Sequence, residues 1–270
     1  MNALHAAILG ALQGLTEILP ISSSAHLILV PWLFRWPESG LTFDVALHLG
    51  TFIALCLYFW RDIMELTVNF FNSFNRKGFR SPSSRLPFCI IVGTIPAALV
   101  GKVLEGPIED IFRNSPASIA TFLIVFGLLL SLSDKIGSKR LKMDRITMGS
   151  SILIGLAQCL ALVPGVSRSG ITITAGLLLG FKREDAARFS FLLSLPIVAG
   201  AALLKMVELV RHGIPAGEIK LLLIGVSVSA VVGYFSIGFL LKFVQNHSLS
   251  PFVWYRLLAG AGILLYLFLA

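Results

Sequence analysis

Long apolar stretches separated by short charged segments run along this 270-residue chain. At a helical rise of about 1.5 Å per residue, one bilayer crossing takes about 20 apolar residues. We predict six membrane-spanning helices, at 41–60, 86–104, 117–133, 186–207, 219–241 and 252–269. The pattern therefore predicts an all-α polytopic membrane protein in which residues 1–270 form a single membrane domain.

Two further apolar regions, 6–34 and 148–180, are each interrupted near the middle by Pro, Ser and Gly. The first is interrupted at Pro20 and the second at Pro164. A backbone break at membrane depth leaves N–H and C=O groups unpaired, so it must be buried in protein or line a wet cavity. We therefore predict two re-entrant helical hairpins rather than simple crossings.

Composition and charge support a membrane location. Hydrophobic residues make up 56% of the chain, charged residues 13%, and the mean hydropathy is +0.86, which excludes most soluble classes. The net charge is +8, and most basic loop residues fall in 61–85 and 134–147, which predicts that these loops are cytoplasmic. Because no aromatic platform accompanies the basic residues, we read the charge as an insertion signal and expect no nucleic-acid partner.

The N-terminal segment and the cysteines exclude two further readings. The segment lacks a basic n-region and carries Gln13 and Glu17 inside its apolar run, so we expect it to be retained rather than cleaved as a signal peptide. The three cysteines lie in apolar segments, where buried thiols indicate packing rather than a disulfide frame or a metal site. They are Cys56, Cys89 and Cys159.

The two broken regions are related in sequence. A shift of 145 residues superimposes Gly10, Gln13, Leu15, Ser22 and Ser24 on Gly155, Gln158, Leu160, Ser167 and Ser169. A shift of 132 residues places Gly93 on Gly225. In the topology above the two regions enter the membrane from opposite sides, which predicts an inverted repeat, with halves at 1–134 and 146–270 and a polar site near the midplane. The alternative is chance similarity in a chain rich in Leu and Gly.

The first hairpin carries a carboxylate at membrane depth. Gln13 and Glu17 are four residues apart, so their side chains project from one helical face toward the break at Pro20. A carboxylate in a membrane segment is costly unless it is solvated or paired, and it usually marks a functional cavity. The alternative is a structural hydrogen bond that caps the broken helix.

A short polar patch follows, made of Ser22, Ser23, Ser24 and His26. Serine hydroxyls in membrane helices often return hydrogen bonds to the backbone, so alone they indicate structure. The histidine alone is equally ambiguous. Beside Glu17, however, Ser23 and His26 supply a nucleophile, a base and an orienting group.

The second break has a composition typical of phosphate binding. Backbone N–H groups at a helix N-terminus attract anions, and nearby hydroxyls add donors. The residues expected to bind phosphate are Ser22, Ser24, Gly165, Ser167, Ser169, Gly170 and Thr172. Arg168 adds a planar, permanently charged fork suited to phosphoryl oxygens. Its alternative role is an ion pair with Glu17, and the two roles do not exclude each other.

Three motifs together carry a family resemblance: Gln13-x-x-x-Glu17, the stretch from Pro20 to His26, and Pro164-Gly-x-Ser-Arg-Ser-x-x-Thr172. They resemble the signatures of the undecaprenyl-diphosphatase family of the bacitracin-resistance type, and the resemblance covers essentially the whole chain. It implies hydrolysis of undecaprenyl diphosphate to undecaprenyl phosphate and inorganic phosphate, which recycles the lipid carrier of cell-wall synthesis. The implied fold is an inverted repeat with two re-entrant hairpins.

The resemblance also implies a bacterial inner-membrane location, a site open to the extracytoplasmic side, and a divalent cation, Mg²⁺ or Ca²⁺. Gln13 and Glu17 are the residues expected to contact that cation. Gln13 stands where many members carry Glu, which weakens the case for two carboxylates clamping a metal. His48 occupies a position that is often Gln in relatives, and its role stays open, with a structural polar contact favoured. The lipid substrate and membrane lipids are the expected partners, and the sequence leaves a homodimer open.

The expected mechanism follows from the needs of phosphoryl transfer, which are positioning and charge neutralisation. We expect Arg168 and the N–H groups of the second break to bind the pyrophosphate, while Glu17 and His26 transfer protons. Ser23 either attacks phosphorus or orients a water, and the spacing does not decide between them. Two other functions remain: a transporter or flippase for a polyprenyl phosphate, with the same architecture, and a structural scaffold, which would not need these polar groups at membrane depth.

Overall fold

The computed structural model describes residues 1–36, 40–73, 82–212 and 219–269. In these ranges the chain is folded into α-helices joined by short connections, and the β-type pairing there is one isolated bridge between Leu141 and Phe181. The helices are α1 (Ala3–Thr16), α2 (Ser23–Phe34), α3 (Gly40–Tyr58), α4 (Trp60–Ser73), α5 (Pro82–Phe112), α6 (Pro116–Ile136), α7 (Met148–Cys159), α8 (Arg168–Leu178), α9 (Arg183–His212), α10 (Ile219–Asn246) and α11 (Ser250–Leu269). The predicted all-α class is confirmed.

Five of the six predicted crossings are confirmed as single helices long and apolar enough to span a bilayer. They are Pro82–Leu104 within α5, Pro116–Ile136, Arg183–Ala202 within α9, Ile219–Asn246 and Ser250–Leu269. The sixth, predicted at 41–60, falls on α3, which meets the same criteria only in combination with α4, across a bend of 74°. The chain is therefore a multi-pass membrane protein.

Helix α4 replaces part of the loop that the sequence predicts at 61–85. None of its side chains is buried, and it carries Asp62 and Glu65 together with exposed apolar residues such as Phe71. A helix of this kind beside a crossing is typical of the membrane interface, where the apolar face contacts lipid and the charged face contacts water. Asp62 forms an ion pair with Arg188 of α9, which ties α4 to the bundle. Residues 74–81 of the predicted loop lie outside the described residues.

Both interrupted regions form two short helices around a break. The first break separates Thr16, the end of α1, from Ser23, the start of α2. The second separates Cys159, the end of α7, from Arg168, the start of α8, and contains one 3₁₀ turn. Each of the four helices has 14 residues or fewer, which is too short to cross a bilayer. The predicted helix–break–helix pattern is present at both places.

The first helix of each hairpin packs closely on a crossing from the other half of the chain. Helix α1 meets α10 where Gly10 faces Gly225, and α7 meets α5 where Gly155 faces Gly93. A Cβ added to Gly10 would lie 2.5 Å from the carbonyl oxygen of Gly225. A Cβ added to Gly155 would overlap the carbonyl oxygen of Gly93. The two contacts use the residues that the sequence shifts equate. The inverted orientation of the halves stays a prediction.

Gly10→Ala is expected to lower the thermal midpoint of the purified protein in detergent. The new methyl group would force α1 away from α10, and such overpacking typically costs about 1–3 kcal/mol. Gly262→Ala in α11 is the matched control, because no atom of another described segment lies within 4 Å of its added Cβ. Equal midpoints for the wild type and Gly10→Ala would show that the two helices separate without cost.

Candidate active site

The first break begins directly after α1. The N–H of Glu17 donates to the carbonyl of Gln13 at 3.0 Å, which extends the helical pattern by one residue and directs both side chains to one face. The chain then turns at Ser22, whose φ is 77°. A positive φ at a residue other than glycine is costly, and such strain is concentrated at functional sites. Ser23, the next residue, opens α2 with its side chain directed at Glu17.

The second break repeats this geometry. Ser167 has a φ of 73°, and its hydroxyl accepts a hydrogen bond from the N–H of Gly170 at 3.1 Å, which caps α8. In each break this serine hydroxyl lies near that of the serine two residues later. The Oγ–Oγ distance is 3.2 Å for Ser22 and Ser24 and 3.3 Å for Ser167 and Ser169. The positions matched by the sequence shift therefore share a backbone conformation and a contact.

A buried arginine that the sequence analysis did not select joins the two breaks. Arg256 of α11 is fully buried and donates to the carbonyl oxygens of Pro20 at 3.2 Å, Gly165 at 2.9 Å and Val166 at 3.1 Å. It also donates to Leu123 of α6 at 3.1 Å. Breaks expose carbonyl groups that lipid cannot satisfy, and a guanidinium supplies five N–H donors. The signal in the sequence was a single basic residue inside a predicted crossing.

Glu17 is the centre of the polar cluster between the breaks. The Nη2 of Arg168 donates to its Oε1 at 2.7 Å, and the hydroxyl of Ser23 donates to its Oε2 at 2.5 Å. The Nε2 of Gln13 donates to the same Oε2 at 3.5 Å, and the Nε2 of His48 lies 3.7 Å from it. The cluster brings together the carboxylate, the hydroxyl and the guanidinium that the sequence selects, from positions 151 residues apart.

A cavity of about 240 Å³ lies over this cluster. Its polar lining consists of Thr16, Glu17, Ser23, Ser24, His48, Gln158, Ser167 and Arg168. Apolar residues of α9 form much of the remaining wall, namely Ile197, Val198, Ala201 and Ala202. Convergent polar groups opposite an apolar wall suit a ligand with an anionic head and an apolar tail.

The predicted site residues divide into two groups around this cavity. Glu17, Ser23, Ser24, Ser167 and Arg168 line it. The others are not among the described residues that line it: Gln13, Ser22, His26, Gly165, Ser169, Gly170 and Thr172. The roles assigned to all of these residues from the sequence stay predictions.

Two hydroxyls of α8 are engaged in packing contacts. Ser169 donates to the carbonyl of Leu19 at 3.2 Å, which links the two breaks directly. Thr172 donates to the carbonyl of Arg168 at 2.8 Å, and its Oγ1 lies 2.6 Å from the hydroxyl of Ser190 in α9. These contacts fix the start of α8 and therefore the position of Arg168.

His26 is held at both ring nitrogens. Its Nδ1 lies 2.7 Å from the carbonyl oxygen of Ser22, and its Nε2 lies 2.6 Å from the hydroxyl of Tyr255 in α11. A carbonyl only accepts, so Nδ1 carries the proton and Nε2 accepts from the tyrosine. These contacts hold α2 against α11 and leave neither nitrogen directed at Glu17.

His48, whose role the sequence leaves open, is the histidine that lines the cavity. Its Nδ1 donates to the carbonyl of Asp44 at 2.8 Å, so Nε2 faces Glu17. The separation of 3.7 Å from the carboxylate is longer than a hydrogen bond. The sequence offered one signal for this position, a histidine inside a predicted crossing.

His48→Gln is expected to change kcat by less than about tenfold, below the usual contribution of an acid–base group. Arg168 and Ser23 already hold Glu17 by shorter contacts, and the amide retains a polar group at the same place. Initial rates of phosphate release test this, with His247→Gln, an exposed residue after α10, as the matched control. A loss of about 10²-fold or more would identify His48 as the acid–base group.

A divalent cation would have few protein ligands in this site. Among the described residues there is no group of three or more His, Cys, Asp or Glu side chains that could hold a metal. Glu17 offers its carboxylate, and Gln13 offers a buried Oε1 that has no hydrogen-bond partner within the ranges that the structure describes. One carboxylate and one amide oxygen fit a cation that takes its other ligands from a bound diphosphate, as Mg²⁺ commonly does.

Comparison with known proteins gives matches over nearly the whole chain. The sequence profile of the family described as Bacitracin resistance protein BacA matches residues 6–262. The undecaprenyl-diphosphatase of Geobacter metallireducens is 69% identical over 99% of both chains. The protein of the same name from Moorella thermoacetica is 52% identical over 97% of both chains. That from Thermomicrobium roseum is 46% identical over 98% of both chains.

Proposed function

Because this chain belongs to the Bacitracin resistance protein BacA family, we propose that it hydrolyses undecaprenyl diphosphate to undecaprenyl phosphate and inorganic phosphate. The observation that carries the proposal is the contact of Glu17 with both Arg168 and Ser23 beside a cavity at the meeting of the two breaks. A carboxylate, a hydroxyl and a guanidinium in mutual contact provide a proton acceptor, a nucleophile and an anion-binding group. The resemblance predicted from the motifs is confirmed.

Arg168 binds the diphosphate in this proposal. Its Nη2 is engaged with Glu17, whereas its Nη1 is buried, has no hydrogen-bond partner in the described part of the chain, and is the group we assign to a phosphoryl oxygen. The residue also opens α8, whose N-terminus adds a favourable potential for an anion. The hydroxyls of Ser24 and Ser167 line the same cavity and supply further donors.

Glu17 and Ser23 carry the proton transfer and the attack. Ser23 donates its proton to the carboxylate of Glu17 and attacks the terminal phosphorus, while the bond from phosphorus to the bridging oxygen breaks and undecaprenyl phosphate leaves. Water then cleaves the phosphoserine and releases inorganic phosphate. In the direct route Ser23 orients the water and Glu17 accepts the proton of the water. The short contact between Ser23 and Glu17 is compatible with both routes. Only the first route forms a covalent phosphoserine intermediate.

A divalent cation, Mg²⁺ or Ca²⁺, completes the proposed site. Glu17 and Gln13 would hold it through the carboxylate and the unpartnered amide oxygen. When bound, the cation neutralises charge on the phosphoryl oxygens. The chain itself contributes few ligands, so cation binding is expected to tighten when the substrate is present.

The experiment that tests the function measures phosphate release from undecaprenyl diphosphate by the purified protein in detergent, with Mg²⁺ or Ca²⁺ supplied. Release is expected for the wild type and is expected to fall strongly when Glu17 or Arg168 is replaced. A protein that binds or translocates the lipid without hydrolysing it, the alternative considered from the sequence, releases no phosphate in this assay. That result from folded protein would refute the proposed activity.

We place the site on the extracytoplasmic side of the bacterial inner membrane, and cysteine labelling tests this orientation. Single cysteines at Asn114, between α5 and α6, and at Ser138, after α6, are introduced after the native cysteines are replaced. Both positions are exposed. An impermeant maleimide added to intact cells is expected to label Asn114→Cys but not Ser138→Cys, because the basic residues of 134–147 hold that turn in the cytoplasm. The reverse pattern would invert the topology.

A further inference from the structure

Gln158 lines the cavity with a buried amide that finds no hydrogen-bond partner in the described part of the chain. It lies in the last turn of α7, only 3% of it is exposed, and it lines the cavity beside Glu17 and Arg168. Both its Nε2 and its Oε1 are buried without a hydrogen-bond partner among the described residues. The proposed roles of the other cavity residues make no use of it.

A buried amide without hydrogen-bond partners destabilises the protein when no ligand is bound. A buried donor or acceptor that loses water and gains no partner carries a desolvation penalty, and Gln158 has one of each. The apolar residues of the cavity wall, such as Ala161, Leu162 and Ile197, cannot relieve that penalty. The penalty disappears when a ligand with both accepting and donating atoms enters the cavity.

The groups around Gln158 indicate the chemistry of that ligand. Both carboxylate oxygens of Glu17 are engaged, by Arg168 and by Ser23, so Glu17 has no need of the amide. Arg168 lines the same cavity, and its Nη1 has no hydrogen-bond partner among the described residues, so the cavity suits an anion. A neutral amide in the same cavity lining as that cation adds a directional donor without adding charge, which suits one oxygen of a diphosphate.

We propose that Gln158 is a substrate-binding residue whose amide nitrogen donates a hydrogen bond to the diphosphate while its carbonyl accepts one from a water or a protonated phosphoryl oxygen. This inference rests on the proposed function for the identity of the anion. It assigns the contact to a residue of the second repeat that corresponds, under the sequence shift, to Gln13 of the first. In the proposed site Gln13 would contact the cation and Gln158 the diphosphate.

Gln158→Met tests the inference by separating binding from structure. Methionine nearly conserves the length and volume of the side chain and removes both polar atoms. The thermal midpoint without ligand is expected to stay the same or rise, because an unsatisfied buried group is removed. At the same time kcat/KM for undecaprenyl diphosphate is expected to fall on the order of 10- to 100-fold, the loss typical of a hydrogen bond to a charged group.

Gln245→Met is the matched control, since it makes the same change at an exposed position of α10 remote from the cavity, and wild-type kinetics are expected for it. Gln158→Glu is a second variant and places a carboxylate where the anion binds, so it is expected to lower kcat/KM more than Gln158→Met does. A lower midpoint with unchanged kcat/KM for Gln158→Met would show that the amide is structural and would overturn the inference.

A binding measurement keeps this test independent of hydrolysis. Methylene diphosphonate, a non-hydrolysable diphosphate, is expected to raise the midpoint of the wild type and to raise that of Gln158→Met by less. Equal shifts for the two proteins overturn the inference, whether or not the protein releases phosphate. Absence of phosphate release with unequal shifts leaves the anion contact standing and refutes the activity.

Discussion

Glu17→Gln is expected to lower kcat for undecaprenyl diphosphate by about 10²- to 10⁴-fold, the usual contribution of a positioned acid–base group. The amide keeps the shape of the side chain but cannot accept the proton that Ser23 or a water gives up. The substitution also removes the counter-ion of Arg168, so the whole guanidinium becomes available to the substrate. With the divalent cation at a saturating concentration, we therefore expect KM to stay unchanged or fall while kcat falls.

The controls for this variant address folding, because breaking a buried ion pair typically costs about 3–5 kcal/mol. Size-exclusion profiles and thermal midpoints in detergent establish that the variant is folded. Glu184→Gln makes the same change in the first turn of α9, outside the cavity, and is expected to leave kcat unchanged. A folded Glu17→Gln variant with wild-type turnover would withdraw the proton-transfer role of Glu17.

The same assay separates the two routes of attack. If Ser23 is the nucleophile, Ser23→Ala abolishes the covalent route and no phosphate remains attached to the protein after acid quench. If Ser23 orients a water, the variant retains slower hydrolysis, and the wild type also shows no attached phosphate. Trapped phosphoserine in the wild type and its loss in Ser23→Ala would establish the covalent route.

Arg168→Lys is expected to lower kcat/KM by about 10²-fold or more even though the positive charge is kept. The guanidinium contacts Glu17 through Nη2 and has Nη1 available, so one side chain serves the carboxylate and the phosphate together. An ammonium group is a single point and cannot serve both in the same geometry. Because this contact binds the substrate as well as the transition state, KM is expected to rise as kcat falls.

Arg188→Lys is the matched control, since it makes the same change in an ion pair with Asp62 outside the cavity. Near wild-type kinetics are expected for it. Near wild-type turnover of a folded Arg168→Lys variant would show that Arg168 contributes only electrostatic attraction for the diphosphate or structural support. It would rule out simultaneous hydrogen bonds from the guanidinium to Glu17 and to the phosphate.

The sequence by itself determined the class of the protein and the location of its polar segments. Spans could be placed because a bilayer crossing requires a minimum run of apolar residues, a local property. The breaks near Pro20 and Pro164 could be placed because each proline stands beside a run of serines or glycines, a local composition that disfavours a continuous helix. The motifs around Glu17 and Arg168 were equally local, so the family could be recognised before any contact was known.

The spatial arrangement of the site was decided by contacts between residues far apart in the chain. The bond between His26 and Tyr255 joins positions 229 residues apart and directs the imidazole away from Glu17. Spacing within the first hairpin could not reveal this, because the partner lies on the last helix. The packing of α3 and α7 brings His48 and Gln158 into the cavity lining, which their polar character inside apolar segments could not show.

Two further features of the bundle depended on contacts between segments and could not be predicted from either segment alone. The bend between α3 and α4 was not expected, because an amphipathic helix at the interface has the composition of a charged loop. Arg256 looked like an isolated charge in an apolar span until the carbonyls of Pro20 and Gly165 were found around it. Hydrophobic length and helix breakers act within a segment and can be read along the chain. Hydrogen bonds that satisfy buried polar groups act between segments, so only the tertiary structure decided them.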